Sequence, residues 1–575
     1  MNRIVTLLLV SALISGLPSC SKDPDNPTPD VDPTKPPVDP ETAKTIGFFL
    51  DGWQSRSFSV PGNTEDKTVA DPQVTISIDP YKIKTKIPAL LAGENANVIT
   101  TQFVNETGLM TNINALHPSL IRFPGGDQTS LFFWDRAAGS LPADVPAQLV
   151  DKDGTAYTPS YYYGKSTASN TLSLDNYYQM LSQTGAKGII AVNAAYARYS
   201  TADNPVAAAG KLAADWVRYD NGRTKYWEVG NENYGNWQAG YRIATANNKD
   251  GQPEIINGDL YGDQVNVIID SMRKAATEIG KSIYISAVLV EGQYTSSTPT
   301  EIDWNVKVIK KVNSKVDFYS LHNDYTPFGE DPNASYILYS PASSTKDMSN
   351  YVNAAFKSAG VDAKPLALTD YGINAIGRQQ QSSFVGGMHT IAVINESLNN
   401  NIGVTIHDGL ASWWNNGNSP GMFGLGDAGS SLDKGSPRPG FYYKWFANRF
   451  MGDRAITASI SDGTAELLLY STSFSNNYVG LVIENQSENA VTAKVDLKYW
   501  NKGNQAYWYV LEGGTDNGEF SQKVIINGQG PTGNAGGPAN YSTIPAYVSP
   551  ATDGVVVSIP KRGTVMVAIP YTMPQ

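Results

Sequence analysis

Residues 225–237 read KYWEVGNENYGNW. The first half is a short apolar run with strong β propensity and none of the polar alternation of a strand wetted on one face. It ends at Gly230 and delivers Asn231 and Glu232, with Tyr234 and Trp237 close behind. A strand buried on both faces belongs to a parallel sheet covered by helices. A carboxylate just past its end is either ordinary loop polarity or a working group, and the rest of the chain decides which.

Seven more runs of the same texture are spread along the chain. They are predicted near 89–98 (ALLAGENANV), 119–126 (SLIRFPGG), 188–196 (GIIAVNAAY), 283–290 (IYISAVLV), 316–325 (VDFYSLHNDY), 365–375 (PLALTDYGINA) and 402–410 (IGVTIHDGL). Between most of them lie helical patterns with apolar residues three and four apart, clearest in NPVAAAGKLAADWVRYD and GDQVNVIIDSMRKAATEIG, where Gly280 is placed to end the helix. FYYKWFANRFMGD supplies a last helix. Eight such strands separated by helices predict a (β/α)8 TIM barrel, an α/β fold. The rival open sheet usually carries a Gly-rich phosphate turn after its first strand, and none is present. Beyond about residue 453 the texture becomes short β-rich runs broken by turn residues, which predicts an all-β sandwich. QVTISIDP near 73–80 is expected to join that sandwich. The division expected is therefore 45–88 N-terminal strands joining the sandwich, 89–452 barrel and 453–575 sandwich.

The chain opens differently. Arg3 and the apolar run Ile4–Leu17 fit a secretory signal peptide, too short to span a bilayer. The run ends at Cys20, the single cysteine of 575 residues, so no internal disulfide is available. Leu17-Pro18-Ser19-Cys20 resembles the lipobox of bacterial lipoproteins, apart from Pro18. The resemblance implies lipidation at Cys20 after residues 1–20 act as signal, and a cell-surface lipoprotein of the outer membrane. A plain secreted protein is the alternative. Residues 21–44, rich in Pro and Asp, read as a disordered tether. A net charge of −11 argues against a nucleic-acid partner, which would call for a basic patch.

Barrel active sites lie at the C-terminal ends of the strands. Those ends carry Asn95, Arg122, Asn193, Asn231, Glu232, His322, Asp370 and His407, and long segments follow the second, sixth and eighth strands. Glu232 and Asp370 form the leading pair. Two facing carboxyl groups can cleave a glycosidic bond, one protonating the leaving oxygen and the other attacking the anomeric carbon or activating water. Each alone could equally be a loop acid or a helix cap. Arg122 is suited to hold a carboxylate in its ionised form, or to make a structural ion pair. His322 and His407 could bind a sugar hydroxyl or tune the nucleophile. With Asp324 and Asp408 nearby a metal site is conceivable, but no ligand spacing supports one, and neither metal nor cofactor is expected. Tyr325, Trp237, Trp413 and Trp414 are candidates to wall a sugar-binding cleft, with burial in the core the alternative.

WEVGNE at 227–232 resembles the fourth-strand signature of the retaining (β/α)8 glycoside hydrolases. IRFPGG at 121–126 and LLAGENAN at 90–97 are similar to the second and first strands of the α-L-arabinofuranosidases in that clan. The resemblance spans roughly 73–575. It implies Glu232 as acid/base, Asn231 as ligand of the sugar 2-hydroxyl, and an extracellular plant or algal polysaccharide or its fragments as substrate. The seventh strand departs from the pattern. Where the family places Glu, this chain has Asp370 in LTDYGINA, one methylene shorter and able to draw the carboxylate back by about 1.5 Å. Retaining sites need carboxyl groups roughly 5–5.5 Å apart and inverting sites about 6.5–9.5 Å. Retention, inversion and a binding protein without catalysis all stay open, as does endo action of the agarase or xylanase type.

Overall fold

The computed structural model describes residues 31–292, 303–426, 433–461 and 466–575. Cys20 and the apolar leader lie outside the described residues. The eight predicted strands are all present and close into one parallel barrel. They are β1 (Ala92–Asn95), β2 (Leu120–Phe123), β3 (Lys187–Val192), β4 (Tyr226–Val229), β5 (Tyr284–Val288), β6 (Phe318–Asn323), β7 (Leu366–Tyr371) and β8 (Val404–His407). Thr405 of β8 pairs with Ala92 of β1 to shut the ring. Almost every strand residue is buried on both faces, which is why the sequence shows runs rather than alternation.

The helices Pro205–Asp220 and Gly258–Glu278 stand where the periodicity places them, capped by Asn204 and Asn257 side chains that accept from backbone N–H groups. Gly280 follows the second helix at φ +65°, the left-handed conformation that ends a helix cheaply in glycine. The helix Pro439–Phe450 follows β8. The segment after β6 is shorter as a loop than expected, because the helix Ala334–Ala359 already begins at Asn333, whose side chain caps it.

The sandwich is a strongly curled 12-stranded sheet. Val74–Lys86 lies within it as expected, antiparallel to Arg454–Ile460 and parallel to Val491–Leu497. Its inner face buries a separate core that includes Ile76, Leu481, Val495, Trp508, Val557 and Val567.

Two stretches differ from the expected division. Residues 45–53 do not enter the sandwich but close the N-terminal end of the barrel. Phe49 packs there against Leu120, Ile189, Phe318, Ala367, Val404 and Ile406, and Phe48 stacks on Tyr284 with ring centroids 4.3 Å apart. The later part of the tether is docked rather than free. Asp39 pairs with Arg454 and Lys86, and the Tyr81 hydroxyl donates to the Pro33 carbonyl at 2.5 Å. Composition alone reads this stretch as unable to build a core, but it only has to lie on one already built.

Candidate active site

The mouth at the C-terminal end of the barrel is organised by Arg122, fully buried at the end of β2. Its Nε donates to Glu228 Oε2 on β4, Nη1 to Asp370 Oδ2 at 3.3 Å and Nη2 to Asn231 Oδ1 at 2.8 Å. One guanidinium, with five donors in a rigid plane, thus ties β2, β4 and β7 together. Asn95 of β1 adds a second donor to Asp370 Oδ2, at 3.0 Å. Gly125 makes room for it: at φ +76° a Cβ there would stand 2.5 Å from Asn95 Oδ1.

Glu232 is presented by a sharp turn after β4. Gly230 sits at φ +97°, where a Cβ would meet Asn233 Oδ1 at 1.9 Å, and Glu232 itself holds φ +44°. A non-glycine residue in that region costs of order 1–3 kcal/mol and is retained where the position of the side chain matters. Glu232 Oε1 lies 3.1 Å from His322 Nδ1 on β6. The other ring nitrogen, Nε2, lies 3.5 Å from Arg122 Nη2. Because arginine can only donate, Nε2 carries the lone pair, so Nδ1 carries the hydrogen and donates to Glu232. Glu232 Oε2 accepts from Trp237 Nε1 at 3.0 Å and faces Gln238 Nε2 at 3.4 Å.

The two carboxyl groups differ electrostatically. Burial works to raise the Glu232 pKa, but the His322 and Trp237 hydrogen bonds and the charge of Arg122 outweigh it and leave it below the usual value. Burial, then the charge of Asp408, pushes Asp370 well above its usual range, against Arg122. Asp408, at the end of β8, is raised as well, again by burial first. Asp127 and Asp324 stand exposed on the rim, and both are raised, by partial burial of their carboxyls and then by the charge of Glu232. Arg122 acts on Glu232, Asp370 and Asp408 together, and it is already shared with buried Glu228.

Of the residues singled out from sequence, Arg122, Asn231, Glu232, His322 and Asp370 meet in this one network, and Trp237, 54% exposed, stands beside Glu232 at the surface. Others are occupied elsewhere. Asn193 is corrected to a structural residue: its amide bonds the Tyr199 hydroxyl at 2.9 Å and its oxygen caps the Tyr196 N–H at 3.0 Å. Tyr325 turns into the helical layer, its hydroxyl 2.8 Å from Thr345 Oγ1. Trp414 is buried beneath Arg438. Trp413 is half-buried with its indole N–H on the Ile99 carbonyl. His407 is buried against Glu94, which also pairs with Lys444. Among the described residues no cluster of three or more His, Cys, Asp or Glu could hold a metal ion. Asp127 and Gln238 escaped the sequence reading, although each lies one residue beyond a stretch that drew attention, RFPGG and the run ending at Trp237.

The architecture is that of an eight-stranded parallel barrel joined to a β-sandwich, and its solved neighbours share it. The α-L-arabinofuranosidase of Thermotoga maritima, solved with arabinose, superposes with a TM-score of 0.57 at 13% identity, covering 87% of this chain and 100% of its own. CelM2, a bifunctional glucanase-xylanase from a metagenome library, gives 0.56 at 13% identity, over 88% and 100%. Residues 112–233, from before β2 to just past Glu232, match the Alpha-L-arabinofuranosidase 1 domain. A curated relative, the intracellular exo-α-(1→5)-L-arabinofuranosidase of Acetivibrio thermocellus, is 26% identical over 222 residues. That match covers 37% of this chain, and it spans only 37% of the relative's length.

Proposed function

We propose that this protein is a glycoside hydrolase of the α-L-arabinofuranosidase type, acting on an extracellular plant or algal polysaccharide or its oligosaccharides. The observation that carries the reading is the pair Glu232 and Asp370, at the ends of β4 and β7 in one barrel mouth and joined through His322 and Arg122. Glu232 is the acid/base: it protonates the leaving oxygen and later draws a proton from water. Asp370 is the nucleophile. Its Oδ2 is held by two donors, Arg122 and Asn95, and these favour its carboxylate form. Asp370 and the neighbouring Asp408 are both raised, and attack by Asp370 requires that the proton they retain sit on Asp408. Asn231, tied to Arg122 beside Glu232, would meet a sugar hydroxyl through its amide nitrogen, which has no partner among the described residues. The matched arabinofuranosidase domain supports the sugar assignment, and its span includes Arg122, Asn231 and Glu232.

One observation favours a second reading, a glycan-binding protein without catalysis. The raised Asp370 pKa keeps that carboxyl neutral unless Asp408 accepts the proton. Endo action is a further variant of the hydrolase reading. The leader ending at Cys20 supports a lipid anchor on the cell surface as part of the proposal.

Protein lacking residues 1–20 is to be incubated with arabinans, xylans, agars and aryl glycosides, beside Glu232→Gln and Asp370→Asn. Products from the parent chain alone are expected, and their size separates endo from exo action. Unchanged turnover in Glu232→Gln would end the assignment of roles. Retardation in a glycan affinity gel without products would favour the binding protein.

A further inference from the structure

The rim acids of the mouth are held by neutral amides. Gln238 Nε2 donates to Asp127 Oδ1 at 2.5 Å and faces Glu232 Oε2 at 3.4 Å, and Asn374 Nδ2 faces Asp324 Oδ2 at 3.4 Å. Asn374 is itself fixed, its N–H on Thr326 Oγ1 at 3.0 Å and its carbonyl on the Gly329 N–H at 3.0 Å. Asp127 and Asp324 are exposed, and among the described residues neither they nor Asp408 make an ion pair. Acids elsewhere on the loops of the same face are neutralised: Asp331 by Arg378, Glu254 by Arg242, Asp153 by Lys152 and Glu106 by Lys434. At the centre the Arg122–Glu228 pair cancels itself, which leaves the charge of Glu232 and of the Asp370–Asp408 pair standing. The segments 293–302 and 427–432, which follow β5 and β8, contain no lysine or arginine.

We propose that this mouth admits neutral glycans and rejects anionic ones, with Asp127 and Asp324 as specificity residues. The proposal rests on the reading of the mouth as a glycan site. A uronate or sulfate on a sugar seated here brings a fixed negative charge among carboxylates that have no cation to share with it. A cleft lined by one sign of charge, with low-dielectric walls, focuses that repulsion. A hydroxyl meets no such penalty, because a carboxylate accepts from it. Buried Asn231 offers the sugar a neutral donor as well, its amide nitrogen having no partner among the described residues. Recognition of an acid group calls for a guanidinium or ammonium free to face it. Arg122 has Nε, Nη1 and Nη2 committed to Glu228, Asp370 and Asn231.

Trp237 reports this field without substrate, since its indole N–H is bonded to Glu232 and its ring is exposed. Its emission is taken as the difference between the parent chain and Trp237→Phe, at pH 8, where exposed carboxyls are ionised. Iodide, an anion, is compared with neutral acrylamide as quencher at a constant ionic strength of about 0.1 M, where charges are felt over about 10 Å. Iodide should quench weakly relative to acrylamide, and Asp127→Asn with Asp324→Asn should raise iodide quenching about twofold or more. The selection itself is read on the glycan that responds best in the panel. That glycan is compared with its lightly carboxymethylated form and with the amide of that form, which has the bulk without the charge. The carboxymethylated form should lose about tenfold or more in kcat/KM, and the amide should not. The loss should shrink in the double variant and between about 0.01 M and 1 M salt, as screening shortens from roughly 30 Å to 3 Å. An equal loss for acid and amide, iodide quenching unmoved by the double variant, or a best glycan that is itself acidic overturns the proposal. The same discrimination read as gel retardation, in a protein that hydrolyses none of the panel, supports the charge selection and removes the hydrolase reading instead.

Discussion

Replacing Arg122 by methionine should destabilise the barrel by an amount that grows with pH. Methionine keeps much of the side-chain volume but leaves Glu228, 0% exposed, without its cation. The orphaned group has two courses. It can stay charged, which in broken buried pairs costs ~3–5 kcal/mol, or it can take up a proton. At pH 7, protonating a carboxyl of ordinary pKa near 4.3 costs ~3.7 kcal/mol, at ~1.4 kcal/mol per unit. The two courses therefore converge on about 4 kcal/mol at pH 7. At pH 5 the second falls to ~1 kcal/mol. To either is added ~1 kcal/mol for the lost hydrogen bond to Asn231. The sign follows from the native pair. Burial works to raise Glu228, but Arg122 beside it prevails and holds it below its usual value. Its contribution is thus present above the unfolded pKa and lost as pH falls through the folded one. In Arg122→Met the carboxyl lies above its unfolded value, so the deficit opens as pH rises. Thermal unfolding of the parent chain, Arg122→Met, Glu228→Gln and the double variant, at pH 5 and pH 7, measures this. The gap between parent and Arg122→Met should be about two to three times larger at pH 7, and Glu228→Gln should recover part of it. An equal gap at both pH values, with additive effects in the double variant, would refute the reasoning.

Two further outcomes follow from the same structure. Phe49→Ala should cost ~3–5 kcal/mol, as for a large aromatic removed from a core. It should leave kcat/KM of the folded protein unchanged, because the plug and the carboxyl pair lie at opposite ends of the barrel; a matching loss of kcat/KM would break that separation. His322→Asn removes the donor that lowers Glu232. The alkaline limb should then move to higher pH, and a pH profile that shifts acid would contradict the tautomer assigned to His322.

The barrel was legible because its strands are buried on both faces and its helices on one. Each element therefore carries its signature within its own ten or twenty residues. The same locality placed Glu232 and Asp370, since a residue just past a buried strand can only stand at the mouth. The sequence by itself settled the order of elements, the presence of a second β domain that takes in Val74–Lys86, and the strand end on which each candidate acid sits. Partnership was left to the tertiary structure. Arg122 and Glu228 are 106 residues apart, Arg122 and Asp370 248 apart, and Asp39 and Arg454 415 apart. Whether Asn193, Tyr325, His407 and Trp414 face the mouth or the layer behind it turns on a side-chain direction that no local pattern records. Residues 45–53 became a plug only because a ring of eight strands leaves an apolar end to be covered. Asp127 and Gln238 became partners because two turns, more than a hundred residues apart in the chain, converge over one amide. Periodicity reports what each segment buries. What it buries against is fixed only once the ring has closed.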